Sequence, residues 1–273
     1  MKKFFVLLFV LTLALPAFAQ NKKQSLAIAF EGSDYGYKEP YLDYPPHWNG
    51  TKYGVSAEYI KRSALTQGNE ISETDNSFFS VVLRYMQGKV DYDGYLQDGT
   101  PSKAENFNDY YFEGALNAGY VYDFGSSGFS LWPYAGIGVR YLVDCLDETG
   151  PSGYRRESLY LYMPVGVNLQ KQYSGGFSFT INAQGDILLS GRQLSKMDGA
   201  NINNTQDEGY GLRASLRLQQ DMGGIAVFVE PFYRYWHIQT SQPEYVTDGY
   251  TVYTLVEPEN KTREAGVKIG IMF

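Results

Sequence analysis

The last thirteen residues of the chain, 261–273, alternate between apolar and polar side chains. Successive side chains of a β-strand point to opposite faces of a sheet, so the alternation predicts a strand with one apolar and one polar face. The segment closes on the aromatic Phe273. Its apolar positions are Ala265, Val267, Ile269, Ile271 and Phe273, and its polar positions are Glu264, Gly266, Lys268 and Gly270.

Nine further segments show the same period of two, which makes ten in all. In the sixth segment, Leu159 and Leu161 oppose Tyr160 and Tyr162, and the others alternate in the same manner. Tyrosine and glycine are abundant, at 25 and 29 residues, which suits strands and tight turns and predicts an all-β chain. The ten segments span residues 24–38, 51–62, 76–92, 109–124, 128–144, 158–170, 177–189, 210–219, 225–235 and 261–273.

The connections between these segments alternate between short and long. This asymmetry is typical of a transmembrane β-barrel, and it predicts a closed, antiparallel, up-and-down barrel of ten strands, with eight as the alternative, whose ends both lie on the periplasmic side. Connection 63–75 is too long for a short turn, and a strand extension bending near residues 67–69 would explain it. The glycine-rich turns are 123–128, 173–176 and 221–224, and the long polar loops are 39–50, 94–108, 145–157, 191–207 and 240–260.

Alternation alone also fits a soluble ligand-binding barrel with an apolar interior. A bilayer is favoured because the apolar faces run uncharged for about ten residues, the length of a tilted spanning strand. Aromatic residues also gather at strand ends, where amphipathic rings meet the two membrane interfaces. The predicted belts hold Tyr120, Tyr122, Phe124, Phe129 and Phe177 near the short turns, and Tyr35, Tyr37, Tyr141, Tyr210 and Tyr235 near the long loops.

The amino-terminal residues predict export. Lys2 and Lys3 precede an apolar stretch, and 17–19 reads Ala-Phe-Ala, so residues 1–19 are predicted to be a signal peptide and 20–273 one outer-membrane barrel domain. Loss of the two lysines lowers the net charge from −7 to −9, which disfavours nucleic acid as a partner. The single Cys145 excludes an intramolecular disulfide, and no motif for a cofactor or a metal is present.

Three stretches carry a resemblance to known proteins: 134–142 (YAGIGVRYL), 230–236 (EPFYRYW) and 257–260 (EPEN). With the ten predicted strands, they resemble small outer-membrane barrels of the superfamily that holds the outer-membrane adhesins and the omptin proteases. The resemblance covers nearly the whole mature chain. It implies the barrel architecture, and it leaves the activity open, because fold does not imply function.

The polar faces carry six acidic and six basic residues that would point into the lumen. Buried charges are costly unless they are paired, so acids and bases are expected to meet there. A plug that closes a narrow barrel is the favoured interpretation, and a charged, porin-like ion path is the alternative. The acids are Glu31, Glu58, Glu113, Asp186, Glu230 and Glu264, and the bases are Arg84, Arg140, Arg213, Arg217, Arg234 and Lys268.

Omptin-like proteolysis has weak candidates in Asp91, Asp93 and His237. The omptin resemblance implies one acidic pair and, across the groove, an Asp-x-His pair that activates water. Asp91 and Asp93 would supply the first, but Tyr235 stands two residues before His237, so the second is incomplete. Asp248 could still orient the imidazole, so this protease activity stays an alternative to the prediction that the protein is not an enzyme.

The long loops are where a surface ligand is expected to bind, as in an adhesin. They hold the aromatic residues Tyr41, Tyr44, Trp48, Tyr154, Tyr245, Tyr250 and Tyr253. The barrel itself implies outer-membrane lipids and lipopolysaccharide as neighbours and the barrel-assembly machinery as a partner, with Phe273 as the assembly signal.

Overall fold

The protein is a closed antiparallel β-barrel of ten long strands. Its computed structural model describes residues 24–40, 45–63, 66–67, 70–71, 76–95, 100–150, 153–197, 200–247 and 250–273. The predicted signal peptide lies outside the described residues. Within the described ranges, no helix has the length and apolar character needed to cross a bilayer.

The ten barrel strands follow one another around the wall, and β10 pairs with β1 to close it. Each strand is antiparallel to both neighbours, so the prediction of a closed, up-and-down barrel with ten strands is confirmed. The strands are β1 Gln24–Lys38, β2 His47–Ser63, β3 Ser77–Tyr95, β4 Pro101–Tyr120, β5 Phe129–Cys145, β6 Arg155–Gln172, β7 Phe177–Met197, β8 Gly209–Asp221, β9 Ala226–Ile238 and β10 Asn260–Met272.

The strand faces follow the predicted parity. Charged side chains point into the lumen and are buried, as for Glu31 and Arg140, while apolar side chains point outward and are exposed. An exposed apolar surface around the whole wall is stable only against lipid, which explains why the polar face must be the inner one. The outward side chains include Phe30, Val55, Leu83, Leu116, Ile137, Leu159, Ile181, Leu212, Val229 and Ile269.

The aromatic belts are confirmed with two exceptions. Near the short turns, Tyr120, Tyr122 and Phe124 are exposed on the outer surface, and near the long loops Tyr210 packs beside Tyr235 at 6.1 Å between ring centroids. The prediction was wrong for Tyr35 and Tyr37. They share the parity of Glu31, so they point into the lumen, where Tyr35 is buried under the ammonium group of Lys52.

The strands extend beyond the membrane at the end that carries the long loops, so several loops are shorter than predicted. β3 and β4 stay paired up to Tyr95 and Pro101, and β7 continues to Met197 against a short strand at Ala200–Gln206. Pairing continues because an antiparallel ladder satisfies backbone groups as well in water as in lipid. The last long loop contains its own hairpin, Glu244–Thr247 with Val252–Leu255.

The opposite end has the predicted tight connections. Gly175, Gly176, Gly223 and Gly224 all have positive φ angles, which glycine adopts without strain, and they turn β6 into β7 and β8 into β9. Between β2 and β3, Thr66 pairs with Ile71 and Gln67 with Glu70 in a separate two-stranded ladder. Residues 68 and 69, where the bend was predicted, lie outside the described residues.

Glycines of the polar face make room for aromatic rings on neighbouring strands. A Cβ atom on Gly166 would lie 2.5 Å from the Tyr134 ring, and one on Gly270 would lie 2.5 Å from the Phe228 ring. Rings that lie flat against the wall in this way do not reach the barrel axis. The glycine pattern therefore controls how much of the lumen remains open.

Candidate functional site

A layer of ion pairs crosses the lumen at mid-height. Arg84 donates to Glu31 at 3.2 Å and to Glu113 at 3.0 Å, and Arg213 donates to Glu113 and, at 2.5 Å, to Asp186. These residues lie on β1, β3, β4, β7 and β8. The Arg84–Glu31 and Arg213–Glu113 contacts join strands that are not neighbours, and the other two join neighbouring strands. Each charge is buried against an opposite charge, which offsets the cost of removing it from water.

The same layer continues around Glu264 on β10. Arg140 Nη2 lies 3.3 Å from Glu264 Oε1, and the hydroxyl group of Tyr111 donates to Glu264 Oε2 at 2.8 Å. Arg234 connects this group to the first, since it contacts Glu31 at 2.6 Å and Glu264 at 3.5 Å. A continuous set of charge-assisted hydrogen bonds therefore spans the barrel.

A smaller group lies nearer the short turns. Arg217 on β8 donates to Glu230 at 2.6 Å and to Glu58, four strands away, at 2.8 Å. Lys268 contacts the other oxygen of Glu230 at 2.7 Å. With this group, each of the twelve lumen charges singled out in the sequence lies within ion-pair distance of another of the twelve.

Above the lumen layer lies a second cluster that sequence reasoning missed. Arg156 Nη1 donates to Glu39 at 3.1 Å and to Glu257 at 3.2 Å, and its Nη2 donates to Asp144 at 3.0 Å. The guanidinium group also stacks on Trp48, 4.3 Å from the ring centroid. One cation thus ties the loops after β1 and β9 to the ends of β5 and β6.

This cluster lies outside the membrane-spanning segments. On the outer surface at the same level, Glu157 accepts from Arg155 and Lys196, and such charges are not tolerated against lipid. The pKa of Glu257 is raised to about 7, chiefly by burial; Arg156 opposes the rise and the neighbouring Glu39 adds to it. Burial likewise raises the pKa of Asp144 to about 6, against the lowering effect of Arg156.

The sequence did hold a signal for the missed residues. Arg156 shares the parity of Tyr160 and Asp144 shares that of Arg140, so both would have been assigned inward by extending β5 and β6 beyond the membrane. Lys52, paired with Asp109 at 2.7 Å, follows the same rule on β2. Trp48, expected among exposed loop aromatics, is buried beside Arg156 because β2 begins at His47.

A cavity of about 330 Å³ occupies the half of the lumen nearest the short turns. Its lining runs from Gln24, Arg62 and Gln170 near the turns up to Arg84 and Arg213 in the ion-pair layer. The expectation that side chains fill the narrow interior is therefore wrong for this half. The glycine contacts that hold the rings of Tyr134 and Phe228 flat against the wall account for the space.

The three residues considered for proteolysis do not come together. Asp91 accepts from the backbone N–H of Asn106 at 2.8 Å, and Asp93 contacts Lys103 at 2.6 Å. His237 lies 2.5 Å from Glu259 and packs on the Tyr210 ring at 5.3 Å between centroids. By the parity of β3 and β9 all three belong to the outer face, on strands four apart in the barrel.

The carboxylate partner of His237 is thus Glu259. Asp248, the partner considered from the sequence, lies outside the described residues. In the part of the chain that the structure describes, no three His, Cys, Asp or Glu side chains are grouped so that they could hold a metal ion.

Comparisons with known proteins support the fold and go no further. No family profile and no curated protein sequence matches the chain. Among solved structures, the outer membrane protease OmpT from Escherichia coli is similar, with a TM-score of 0.58 and 9% identity over 93% of this chain and 97% of that one.

Two other outer-membrane proteins give weaker superpositions. The translocator domain of the autotransporter NalP from Neisseria meningitidis has a TM-score of 0.37 and 14% identity over 98% and 97% of the two chains. Neisserial surface protein A has a TM-score of 0.33 and 11% identity over 89% and 96%. The ten-stranded barrel and its likeness to OmpT together show that this chain has the fold of an outer-membrane β-barrel.

Proposed function

We propose that this protein is an integral outer-membrane barrel with a closed lumen that acts as a scaffold for surface binding. The observation that carries the proposal is the set of ion pairs across the lumen, in which Arg140 and Arg213 of the mid-height layer and Arg217 of the smaller group reach acids four or five strands away. Side chains that cross-link opposite walls occupy the path an ion would take. The expected orientation places the short turns and both barrel ends in the periplasm, after removal of a signal peptide from residues 1–19.

A channel function is the weaker alternative. Ion selectivity in a charged pore requires charged side chains that face the water-filled path and have no ion-pair partner. Here Glu31 forms ion pairs with Arg84 and Arg234, and Glu230 forms ion pairs with Arg217 and Lys268. The twelve lumen charges therefore form no ring of unpaired charges of one sign.

The surface-binding part of the proposal rests on the hairpin between β9 and β10. Tyr245 is 67% exposed, Val252 is 66% exposed and Tyr250 is 99% exposed. The base of the hairpin is closed by Ser241 N–H to Glu257 O at 3.0 Å, and Gln242 N–H to Thr205 O at 2.8 Å bonds it to the strand at Ala200–Gln206. Exposed aromatic residues on a rigid support are typical anchors for a protein partner. The outer apolar band is proposed to contact lipids and lipopolysaccharide.

Proteolysis is not part of the proposal. A general base must reach the water that it activates, oriented by its carboxylate, and the reacting groups must face one site. The outward parity of Asp91, Asp93 and His237 supports the view that these residues serve the barrel surface, where His237 completes the aromatic belt.

Planar-bilayer recording tests the closed lumen. Refolded protein should give no large, stable conductance steps. A variant that replaces Arg140, Arg213 and Glu113 by alanine removes contacts across the lumen and should raise the conductance. Stable porin-like steps from the unchanged protein would overturn the closed-lumen proposal and favour the channel.

Loop replacement tests the binding role. Replacing 244–255 by a two-residue Asn-Gly turn leaves all ten barrel strands intact. Cells displaying the protein should adhere to surfaces coated with fibronectin, laminin or mucin, and the replacement should abolish adhesion while heat-dependent gel mobility persists. Equal adhesion by the unchanged protein and the loop-replaced variant would show that this hairpin is not the binding element. Adhesion by neither would argue against binding to these three ligands.

A further inference from the structure

The ladder between β8 and β9 is interrupted in the lipid-facing part of the wall. Ser215 pairs with Phe232 and Leu218 pairs with Val229, but the two levels between them carry no pairing. The register is the same on both sides of this interval, so a bulge is not the cause. Pro231 lies in the interval and has no backbone N–H to donate to β8, whereas the ladder on the other side of β8 continues without a break.

The aromatic rings on the lumen side of β9 lean away from this seam. A Cβ atom on Gly270 would lie 2.5 Å from the Phe228 ring, and one on Gly266 would lie 2.7 Å from the Phe232 ring. Both glycines belong to β10, so the two rings cover the seam between β9 and β10. The seam between β8 and β9 has less cover, because the inward residue above its interruption is the small Ser215.

A side-chain contact joins β8 and β9 where the ladder does not. Arg217 and Glu230 face each other at one of the two unpaired levels, and Arg217 Nε donates to Glu230 at 2.6 Å on the lumen side. At the other unpaired level, Leu216 and Pro231 point outward and are exposed. An ion pair therefore holds the seam at this height.

Separation of this ion pair would leave neither charge alone. Arg217 also contacts Glu58 at 2.8 Å, and Glu230 also contacts Lys268 at 2.7 Å. Breaking a buried ion pair is costly mainly because it leaves a charge without a partner, and here a second partner remains for each. The two strands can therefore part at this level at a lower cost than where the ladder is continuous.

A comparable interruption between β5 and β6 is covered from inside. Pairing is absent there at the two levels around Pro164. The Tyr134 ring crosses from β5 to lie over Gly166 of β6, and the Tyr162 ring crosses from β6 to lie over Gly138 of β5. The two seams share the missing N–H and differ in their cover on the lumen side.

The lumen cavity reaches the seam between β8 and β9. Ala214 and Tyr233 pair with each other just above the interruption and belong to the lipid-facing parity, yet both border the cavity. Outward residues can border the lumen only where inward side chains do not cover the backbone. The wall between the cavity and the lipid is therefore thin at this seam.

The part of the cavity that a molecule would enter is partly apolar. Four half-buried apolar side chains line it: Ile60, Val82, Ala115 and Met272. The route itself selects the molecule, because only an apolar, uncharged compound is stable in the hydrocarbon beside the seam. The volume of about 330 Å³ limits its size to that of a small ligand.

We propose that the β8–β9 seam opens at Pro231 and lets a small, neutral, apolar molecule pass from the bilayer core into the lumen cavity. The cavity opens at the short-turn end, beside Gln24 and Gln170, so the molecule leaves on the periplasmic side. This inference rests on the proposed placement of the barrel in the outer membrane. It leaves the ion path closed, because the ion-pair layer lies at the inner end of the cavity.

Cysteine labelling in lipid vesicles measures passage through the seam. All variants carry Cys145→Ala. On β4, Ala115→Cys places a thiol in the cavity, and Ala118→Cys places one on the lipid-facing side. N-phenylmaleimide is the neutral, apolar probe, and a sulfonated maleimide, which stays in water, reports entry through the short-turn end. Equal labelling at Ala118→Cys in every variant shows that the bilayer holds the same amount of apolar probe.

Matched proline variants test the seam. Pro231→Val restores a backbone N–H toward β8, and Pro164→Val makes the same change at the covered seam. Pro231→Val should slow labelling of Ala115→Cys by the apolar probe about fivefold, the effect of one net hydrogen bond on an opening equilibrium. Pro164→Val should leave the rate unchanged, and Glu230→Gln should raise it. The sulfonated probe should react at the same rate in all variants, and heat-dependent mobility confirms that each is folded.

Three outcomes would overturn the proposal: Pro231→Val is labelled as fast as the unchanged wall, Pro164→Val slows labelling equally, or the sulfonated probe shows the same dependence. The last would place the route at the short-turn end. Should Pro231→Val not fold, Glu230→Gln decides, and a rate that does not rise would sink the idea. Porin-like conductance steps would overturn the closed lumen without changing these rates, so the two proposals fail separately.

Discussion

Arg140 on β5 places its Nη2 atom 3.3 Å from Oε1 of Glu264 on β10, the strand diametrically opposite in the ten-stranded wall. The two side chains are about equally buried, at 2% exposure each. The contact between these opposite strands requires both side chains to extend across the lumen. It shows that the mid-height of this barrel is a packed polar core, held by hydrogen bonds between walls rather than by apolar contacts.

Reversal of one lumen charge should destabilise the barrel. Arg217→Glu would set a third carboxylate beside Glu58 and Glu230, and breaking a largely buried pair in this way typically costs about 3 kcal/mol. The free energy of unfolding in urea, measured in lipid vesicles, should fall by that order. Leu216→Val, a lipid-facing change on the same strand, is the control and should cost less than about 1 kcal/mol; equal losses would mean that the charge layer contributes little.

Loss of Phe273 should impair assembly. Its backbone N–H donates to Leu26 O at 2.9 Å and its carbonyl oxygen accepts from Leu26 N–H at 3.0 Å, so it completes the seam between the first and last strands. We expect deletion of Phe273 to reduce the heat-modifiable, folded fraction in the envelope, and Phe273→Tyr to retain it. Normal assembly of the deletion variant would show that the ladder closes without this pair and that the assembly machinery does not need the residue.

The loops that Arg156 ties together should loosen as the pH rises. The pKa values of Glu257, about 7, and Asp144, about 6, lie above the ordinary carboxyl range, so folding favours their protonated forms. Their contribution to loop stability is therefore full below about pH 4 and is lost as the pH rises through 6 and 7. Above that range Glu39, Glu257 and Asp144 surround a single guanidinium group.

Hydrogen exchange measures this effect. Protection in 238–260, corrected for intrinsic exchange, should fall between about pH 5 and pH 8. Glu257→Gln cannot ionise at that position and should show a smaller decline. An identical decline in both proteins would assign the pH dependence to another group.

Proteolytic activity should be absent. Refolded protein, with and without lipopolysaccharide, is expected to release no fluorophore from peptides with dibasic sites, because Asp93 is engaged by Lys103 and His237 by Glu259 on the outer surface. The double variant His237→Ala and Asp93→Ala gives the background rate. Turnover well above that background, and lost in each single variant, would contradict both the face assignment and the proposed function.

The alternation of apolar and polar residues predicted the ten strands, and the alternating loop lengths predicted the closed barrel. The inner face needed two further signals, the uncharged length of the apolar faces and the aromatic residues at strand ends. Period-two alternation is a local property, so it can be seen in a single sequence. It also identified the twelve lumen charges, because a charged side chain on a membrane-spanning strand is costly against lipid and therefore faces the lumen. Tyr35 and Tyr37 were misplaced when their position at a strand end was given more weight than their parity.

Only the tertiary structure decided which charges meet, where the lumen stays open and how far the strands continue above the membrane. Those features depend on the stagger between strands, which sets the height of each side chain along the barrel axis. Glu264 is 124 residues from Arg140 in the chain, and no local pattern relates their heights. The cluster around Arg156 and the cavity in the lumen arise from the same stagger, because closing the barrel fixes the relative height of all the strands.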